Sequence, residues 1–495
     1  MSTSPAGRRH LTLAVVLLGV LVVPMSISGA AVALPAIGTD LDASGASLQW
    51  VVNAYNLTFA SLTLVFGSLA DTFGRRRVFA LGAALFGAGS ALGAVANTIW
   101  LLDLSRAVAG AGAAGVLAAG GAILAVTFQG PARTRAFAAL GTAAGIGLAL
   151  GPTASGVLVG ALGWRSMFAA CTAVLAVALL GTAVIPESRA PERAAIDRAG
   201  VATFIGGLAL LTLAVVQGPE SGWGSPAVLA LFAGAAALLA AFVAVELRSA
   251  APVLDLGLVR DRRFLALCLT PVATSFGFVT LLTFLPTYLV GVNEWSAARA
   301  GATMLLLTAP VLVAPPIAGW MFNRGVPGRT LIGAGLLMFA GGNAWLTVVH
   351  PGAGAATLMG PLLLLGLGAG LSFGVNDGMA LSMVEPARAG MAAGFLNTMR
   401  IGSEAIVIAV FLSAFTSLLR GRVGSADLAG RVAAGDLGGA DHARLAAQFT
   451  DVLHIMLWAL AAICAVAAVL VHAMLAPRDS GRARTPAEPE PAKAL

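Results

Sequence analysis

The sequence predicts an all-α polytopic membrane protein, with two six-helix bundles joined by two additional membrane helices. Three observations carry that expectation. Of 495 residues, 58% are hydrophobic and only 10% charged, against roughly a quarter charged in an average soluble domain. Apolar runs of the ~20 residues that a bilayer core requires recur along nearly the whole chain. Short polar turns bearing arginine separate them.

Taken in order, the first six runs fall at about 11–36, 49–70, 78–97, 99–126, 137–161 and 167–185. The first is about 25 residues long and is followed by many more, so it reads as a retained helix rather than a cleaved leader. After the polar stretch PESRAPERAAIDRAG (186–200) come two runs, about 200–217 and 227–246, and a basic linker ending VRDRRF. Six more follow at about 264–291, 296–321, 330–349, 356–382, 389–419 and 449–476, giving fourteen spans arranged six, two, six. The expected units are a first bundle at 1–186, a two-helix insert at 187–262, a second bundle at 263–477 and a disordered cytoplasmic tail at 478–495, where TPAEPEPAKAL has the composition of unfolded chain.

An even span count places both termini on one side. With that side cytoplasmic, 21 of the 29 basic residues lie in inner loops and tails, as positive charge retained inside predicts. The localisation expected is therefore a cell membrane, plasma or inner, with both termini in the cytoplasm. The stretch 420–448, rich in Gly, Ala and Asp, reads as an external, partly mobile loop. The formal charge of +7 does not point to nucleic acid, because the arginines are scattered through the turns instead of forming a stripe. Cys171, Cys268 and Cys464 all lie inside apolar runs and offer neither a disulfide framework nor metal-ligand spacing.

The most polar of the short turns is GSLADTFGRRR, residues 67–77. Gly67 and Gly74 allow a tight turn, while Asp71 can pair with Arg75, Arg76 or Arg77 at the helix ends. A degenerate copy follows the tenth run: GWMFNRGVPGR (319–329) repeats a glycine, a polar residue four positions on, then Gly and Arg. Parallel repeats of six spans place a substrate site between the halves near the midplane.

On these residues the chain resembles the major facilitator superfamily, and specifically its fourteen-span drug:proton antiporters. Gly67, Asp71, Gly74 and Arg75–Arg77 match its loop motif, and LQWVVNAYNLTFASLTLVFG (48–67) is similar to its second span, with Trp50 and Tyr55 in place. The resemblance implies that the loop's charge pairs latch one conformation and break during transport. RAVAGAGAAG (106–115) resembles the family's Arg-containing motif through Arg106, Gly110 and Gly112, with Ala109 where Gln is usual. A buried intramembrane Arg is costly and by default functional; the alternative is a structural pair with Asp103 one turn earlier. GTAAGIGLALGPTASG (141–156) resembles the antiporter motif through Gly147, Gly151, Pro152 and Gly156, with Ser155 where Gly is usual. In the family this motif marks exporters. One departure concerns coupling: PMSISGAAVALP (24–35) carries Ser26 and Ala31 where an Asp and an Asn are usual, so the standard first-span carboxylate is missing.

A nucleotide-driven pump is excluded on motif grounds, since a Walker A loop needs Gly-Lys-Ser/Thr and Lys493 is the only lysine. An enzyme is not expected: HExxH and GxSxG are both missing, and His454 and His472 in the last run read as packing or interfacial residues. A non-transporting sensor on the same fold would betray itself by absent flux. The resemblance implies an exporter of an amphipathic drug, antibiotic or secondary metabolite in exchange for protons, with uptake or facilitated passage of a small metabolite as the alternative. It needs no cofactor beyond the proton gradient, and its expected partners are the small-molecule substrate, protons and the lipid bilayer, with the chain acting as a monomer.

Without the first-span carboxylate, three acidic residues remain inside the runs: Asp103, Asp377 and Glu404. Counting from residue 387, Asp377 is ten positions up one helix and Arg400 thirteen up the next, a difference of roughly 4.5 Å at helical rise. An Arg side chain spans that distance. Glu404 lies one turn beyond Arg400 on the same face, and the resemblance adds Asn397 to this group. The cluster is read either as a static ion network or as the proton site, because burial favours the neutral acid and Arg400 the carboxylate.

Overall fold

The computed structural model describes residues 5–43, 45–189, 197–249, 254, 256–385, 388–438 and 441–476, and every regular element among them is helical. The linker positions 190–196 and the tail 478–495 lie outside the described residues. A first block comprises α1 (Pro5–Asp40), α2 (Gly45–Phe73), α3 (Arg75–Ala94), α4 (Ile99–Thr127), α5 (Gly130–Leu162) and α6 (Arg165–Gly181). A hairpin follows, α7 (Arg198–Ser221) and α8 (Pro226–Glu246), then the short α9 (Leu256–Arg260). The second block holds α10 (Arg262–Thr274), α11 (Thr280–Gly291), α12 (Ala297–Thr308), α13 (Pro310–Asn323), α14 (Gly328–Leu346), α15 (Ala355–Ser382), α16 (Ala389–Val423), α17 (Ala426–Ala433) and α18 (His442–Met474).

The helices begin where the sequence supplies caps. Thr98 accepts from the Leu101 N–H before α4, Asp197 from Gly200 before α7, and Ser225 from Val228 before α8, whose first residue is Pro226. α16 ends on Gly424 in the left-handed region, φ 76°.

Twelve helical stretches among the described residues are long and apolar enough to cross a membrane. α2 and α14 occupy the places of the expected second and eleventh spans but are not among these twelve, so twelve is the count that length and composition support. Two expected spans are interrupted. Between α10 and α11, Ser275–Val279 forms a π turn, in which the Thr280 hydroxyl donates to Ser275 O and Asn343 Nδ2 to Gly277 O. The tenth divides at Ala309, because Pro310 has no N–H to continue the ladder. The stretch expected as a loop at 420–448 is largely helical, since α16 runs to Val423, α17 follows and α18 starts at His442.

Within the first block α3 packs on α4 and α1 on α5; within the second, α14 packs on α15 and α18. The blocks meet where α16 lies against α2 and α4, and where α5 lies against α13 and α15. Glycines let the blocks approach closely at the helix ends near the 67–77 turn and in mid-helix: Gly67 against Gly390, Gly394 against Thr63, Gly145 against Val311, and Gly319 against Ala138. Nearer the opposite end of α5, a Cβ added at Gly156 or Gly160 would meet nothing within 4 Å. The α7–α8 hairpin lies along the α2–α16 seam, its Phe204 and Phe242 rings 5.0 Å apart and buried with Leu64, Val65 and Met391. At the far end of the first block, hydrogen bonds from Arg165 and the Trp164 indole hold the Asp40 carboxyl below the usual carboxylate range.

Candidate functional site

Three polar clusters are built around the arginines Arg75, Arg106 and Arg400. The first is built on the turn between α2 and α3. Gly74 sits at φ 115°, a conformation that a side chain would strain, and this turn directs Arg75 back along α2. Arg75 Nε and Nη2 donate to Asp71 Oδ1 at 3.1 and 2.8 Å, and both residues are buried. The same carboxylate reaches the other block. Asp71 Oδ1 accepts from the Gly390 N–H at 3.0 Å, and Oδ2 from the Met391 N–H at 2.9 Å. These are first-turn amides of α16, which lack partners within their own helix and form its positive end. Gly67 makes the approach possible, because a Cβ there would lie 2.2 Å from Gly390 O. One carboxylate therefore ties the end of α2, the start of α3 and the start of α16. Arg76 and Arg77 take no part in it: the Arg77 side chain approaches Glu187, and the Arg76 backbone N–H donates to the same carboxylate.

The second cluster surrounds Arg106, which is 1% exposed. Its Nε donates to Val51 O at 2.8 Å, its Nη1 to Ser26 Oγ at 2.9 Å, and its guanidinium lies 4.3 Å from the Tyr55 ring centroid. The pair with Asp103, weighed as an alternative on sequence, is not formed; Arg106 is drawn sideways to α1 and α2, and Asp103 Oδ1 is buried without a hydrogen-bond partner. Ser26, which stands where a carboxylate is usual, is thus a direct ligand of this arginine.

The third cluster joins α15 and α16. Arg400 Nη2 donates to both oxygens of Asp377 at 2.7 and 2.9 Å, and Nη1 to Asn397 Oδ1 at 3.0 Å. Glu404, one turn along α16, interacts electrostatically with Arg400. A crevice beside the pair is lined by Thr270, Thr274, Ser372, Phe373, Asn376 and Arg400. Three buried atoms facing no partner belong to these residues: Ser372 Oγ, Asn376 Oδ1 and Arg400 Nε. Sequence reasoning missed Ser372 and Asn376, although both lie within two turns of Asp377. The three clusters are separate sites, and the structure does not join Asp103 to either arginine.

Gly147 and Gly151 of the α5 motif lie in its contact with α1. A Cβ at Gly147 would lie 2.2 Å from Leu21 O, and one at Gly151 2.2 Å from Ser28 Oγ. Ser155 continues that face, donating to Gly29 O at 2.8 Å. Pro152 stays within α5, and Gly156 faces open space. Among the described residues no three His, Cys, Asp or Glu side chains gather as a metal site requires.

Known proteins carry the same sequence pattern. The chain is 35% identical over 412 residues to the puromycin resistance protein of Streptomyces alboniger, covering 82% of each chain. It is 36% identical over 401 residues to the cephamycin export protein of Amycolatopsis lactamdurans, covering 77% of this chain and 80% of the relative. Its fold matches the human organic anion transporter MFSD10 with a TM-score of 0.62 at 16% identity, over 94% of this chain and 99% of that one. The family description of the Major Facilitator Superfamily matches residues 16–407, and the chain belongs to that family of membrane transporters.

Proposed function

We propose that the protein exports an amphipathic drug, antibiotic or secondary metabolite across the cell membrane by alternating access, in exchange for protons, and that it is not an enzyme. The observation that carries this reading is the Asp71 carboxylate, bonded at once to Arg75 in its own block and to two amides of α16 in the other. Opening that end of the molecule requires those bonds to break, which is the behaviour of a conformational latch. The substrate class follows from relatives named for puromycin resistance and cephamycin export. In this reading residues 1–186 and 263–477 are the two moving bundles, 187–262 is the insert between them, and both termini are cytoplasmic. The fourteen-span topology belongs to the same proposal; a single cysteine at Gly435 should be labelled from outside the cell and one at Ser188 protected.

Coupling in this proposal rests on Asp377 and Glu404, since a carboxylate that gains or loses contact with Arg400 has a different proton affinity in each state. A second reading, uptake or facilitated passage of a small metabolite, draws on Ser26 standing in place of the usual carboxylate beside Arg106. Inverted vesicles separate the two. Export predicts that an imposed pH gradient drives accumulation of drugs from a compound panel, and that Glu404→Gln with Asp377→Asn abolishes the gradient dependence while substrate still binds. Accumulation that ignores the gradient in the unaltered protein removes proton coupling, and absence of any drug flux removes export.

A further inference from the structure

Of the three consecutive arginines in the 67–77 turn, the latch uses one. Arg76 and Arg77 face outward, and with Ala80, Thr182 and Glu187 they line a cleft of about 390 Å³ between the start of α3 and the end of α6. Positive charge dominates it. Arg77 Nε stands 3.6 Å from Glu187 Oε2, while Glu187 Oε1 is engaged by the backbone N–H groups of Arg76 and Ser188. Among the described residues the Arg76 guanidinium has no partner. Arg8 of α1 donates from Nε to Val184 O at 3.0 Å, two residues beyond Thr182. Two arginines in the cleft thus face a single carboxylate.

Beneath the cations the wall is apolar and unpartnered. Arg77 heads a stripe continued by Leu81, Ala84 and Ala88 at helical spacing, with Leu81 50% exposed. A cationic mouth at the end of a membrane span, opening onto an apolar groove that faces outward, matches one kind of ligand: a molecule with an anionic head and a hydrocarbon tail.

We infer that this cleft binds an anionic phospholipid, with the phosphodiester held by the guanidinium groups of Arg76 and Arg77 and an acyl chain lying along Leu81 and the α3–α6 groove. A free phosphate would meet the same arginines but leave the groove empty. Because the Arg76 N–H is part of the first turn of α3, the bound headgroup sits next to the turn that positions Arg75 for Asp71.

The test uses the full-length protein purified in a mild detergent, with retained lipid read by native mass spectrometry after titration with phosphatidylglycerol or phosphatidylcholine. Phosphatidylglycerol should be retained in preference to phosphatidylcholine. The Arg76→Gln/Arg77→Gln variant should lose roughly thirtyfold in apparent affinity, each basic side chain near an anionic surface contributing about fivefold. Arg76→Lys/Arg77→Lys should keep most of the binding, and so should Arg324→Gln/Arg329→Gln, which removes the same charge from the corresponding turn of the second block. Equal retention by the glutamine variant and the unaltered protein would overturn the assignment. So would equal loss in the Arg324/Arg329 control, which would indicate diffuse charge, or full competition by inorganic phosphate, which would indicate an anion site without a tail.

Discussion

The turn after α2 and the turn after α13 occupy corresponding places in the two blocks, and each sends one polar side chain across to the opposite block. Asp71 reaches the start of α16, and Asn323 Nδ2 donates to Pro131 O at the start of α5, at 3.2 Å. The geometry is repeated but the chemistry is not. Asp71 is a buried anion accepting from two helix amides and one arginine, whereas Asn323 is exposed and donates one hydrogen bond to a carbonyl. The approach differs as well: a Cβ at Gly67 would strike backbone at 2.2 Å, while one at Gly319 would meet the Ala138 Cβ at 3.1 Å. Of these two turns, one thus makes a strong crossing and the other a weak one, beside the bond that Arg133 of α5 donates to Leu381 O of α15.

The largest effect expected is from Gly67→Leu, which places a side chain in the backbone contact with Gly390. Overpacking of this kind costs about 1–3 kcal/mol or more, so flux per molecule should fall to roughly a tenth or below while the protein still inserts and purifies. Gly319→Leu should do less. Equal losses at the two glycines would remove the asymmetry. Next in size is Asp71→Asn, which keeps the shape and removes the charge. The asparagine oxygen still accepts from Arg75, so the loss is about 1.5–3 kcal/mol, the contribution of hydrogen bonds to a charged group, and the α16 amides lose their anionic acceptor. Spin labels at Phe73 and Ser382 should report a shift from one short distance toward a longer one. A distance distribution unchanged from the unaltered protein would show that Asp71 does not hold this end.

These crossings were legible in the sequence to different degrees, for physical reasons. The Asp377–Arg400 pair follows from counting residues along two helices from their shared turn, because helical rise is constant and an arginine is long. The turn at 67–77 was legible as a charged knot, but its partners across the seam were not: Gly390 and Met391 contribute backbone N–H groups, which leave no mark on composition. Arg106 shows the same limit. Sequence spacing offered Asp103 three residues away, yet the guanidinium goes to Val51 O and Ser26 on neighbouring helices. Local spacing describes one helix; the tertiary packing of α1, α2 and α4 decides the partner. Most of the fold was readable from apolar run length alone, whereas the π turn at Ser275–Val279 and the short α17 lay below the resolution of a run-length argument.

The smallest expected effect lies at the second crossing. Asn323→Ala removes one hydrogen bond that water can replace, and such bonds contribute about 0.5–1.5 kcal/mol net even when shielded. Flux should change by less than about threefold. Asn323→Asp is the sharper variant, because a carboxylate cannot donate to Pro131 O and so should lose the bond as alanine does, despite resembling Asp71 in charge. The two turns share no bonded partner, so combining Asn323→Ala with Asp71→Asn should give additive losses within about 0.5 kcal/mol. An Asn323→Ala loss as deep as that of Asp71→Asn, or strong non-additivity, would mean that the closed end is held by a single coupled network spanning both turns. In that case the exposure of Asn323 would no longer explain its chemistry.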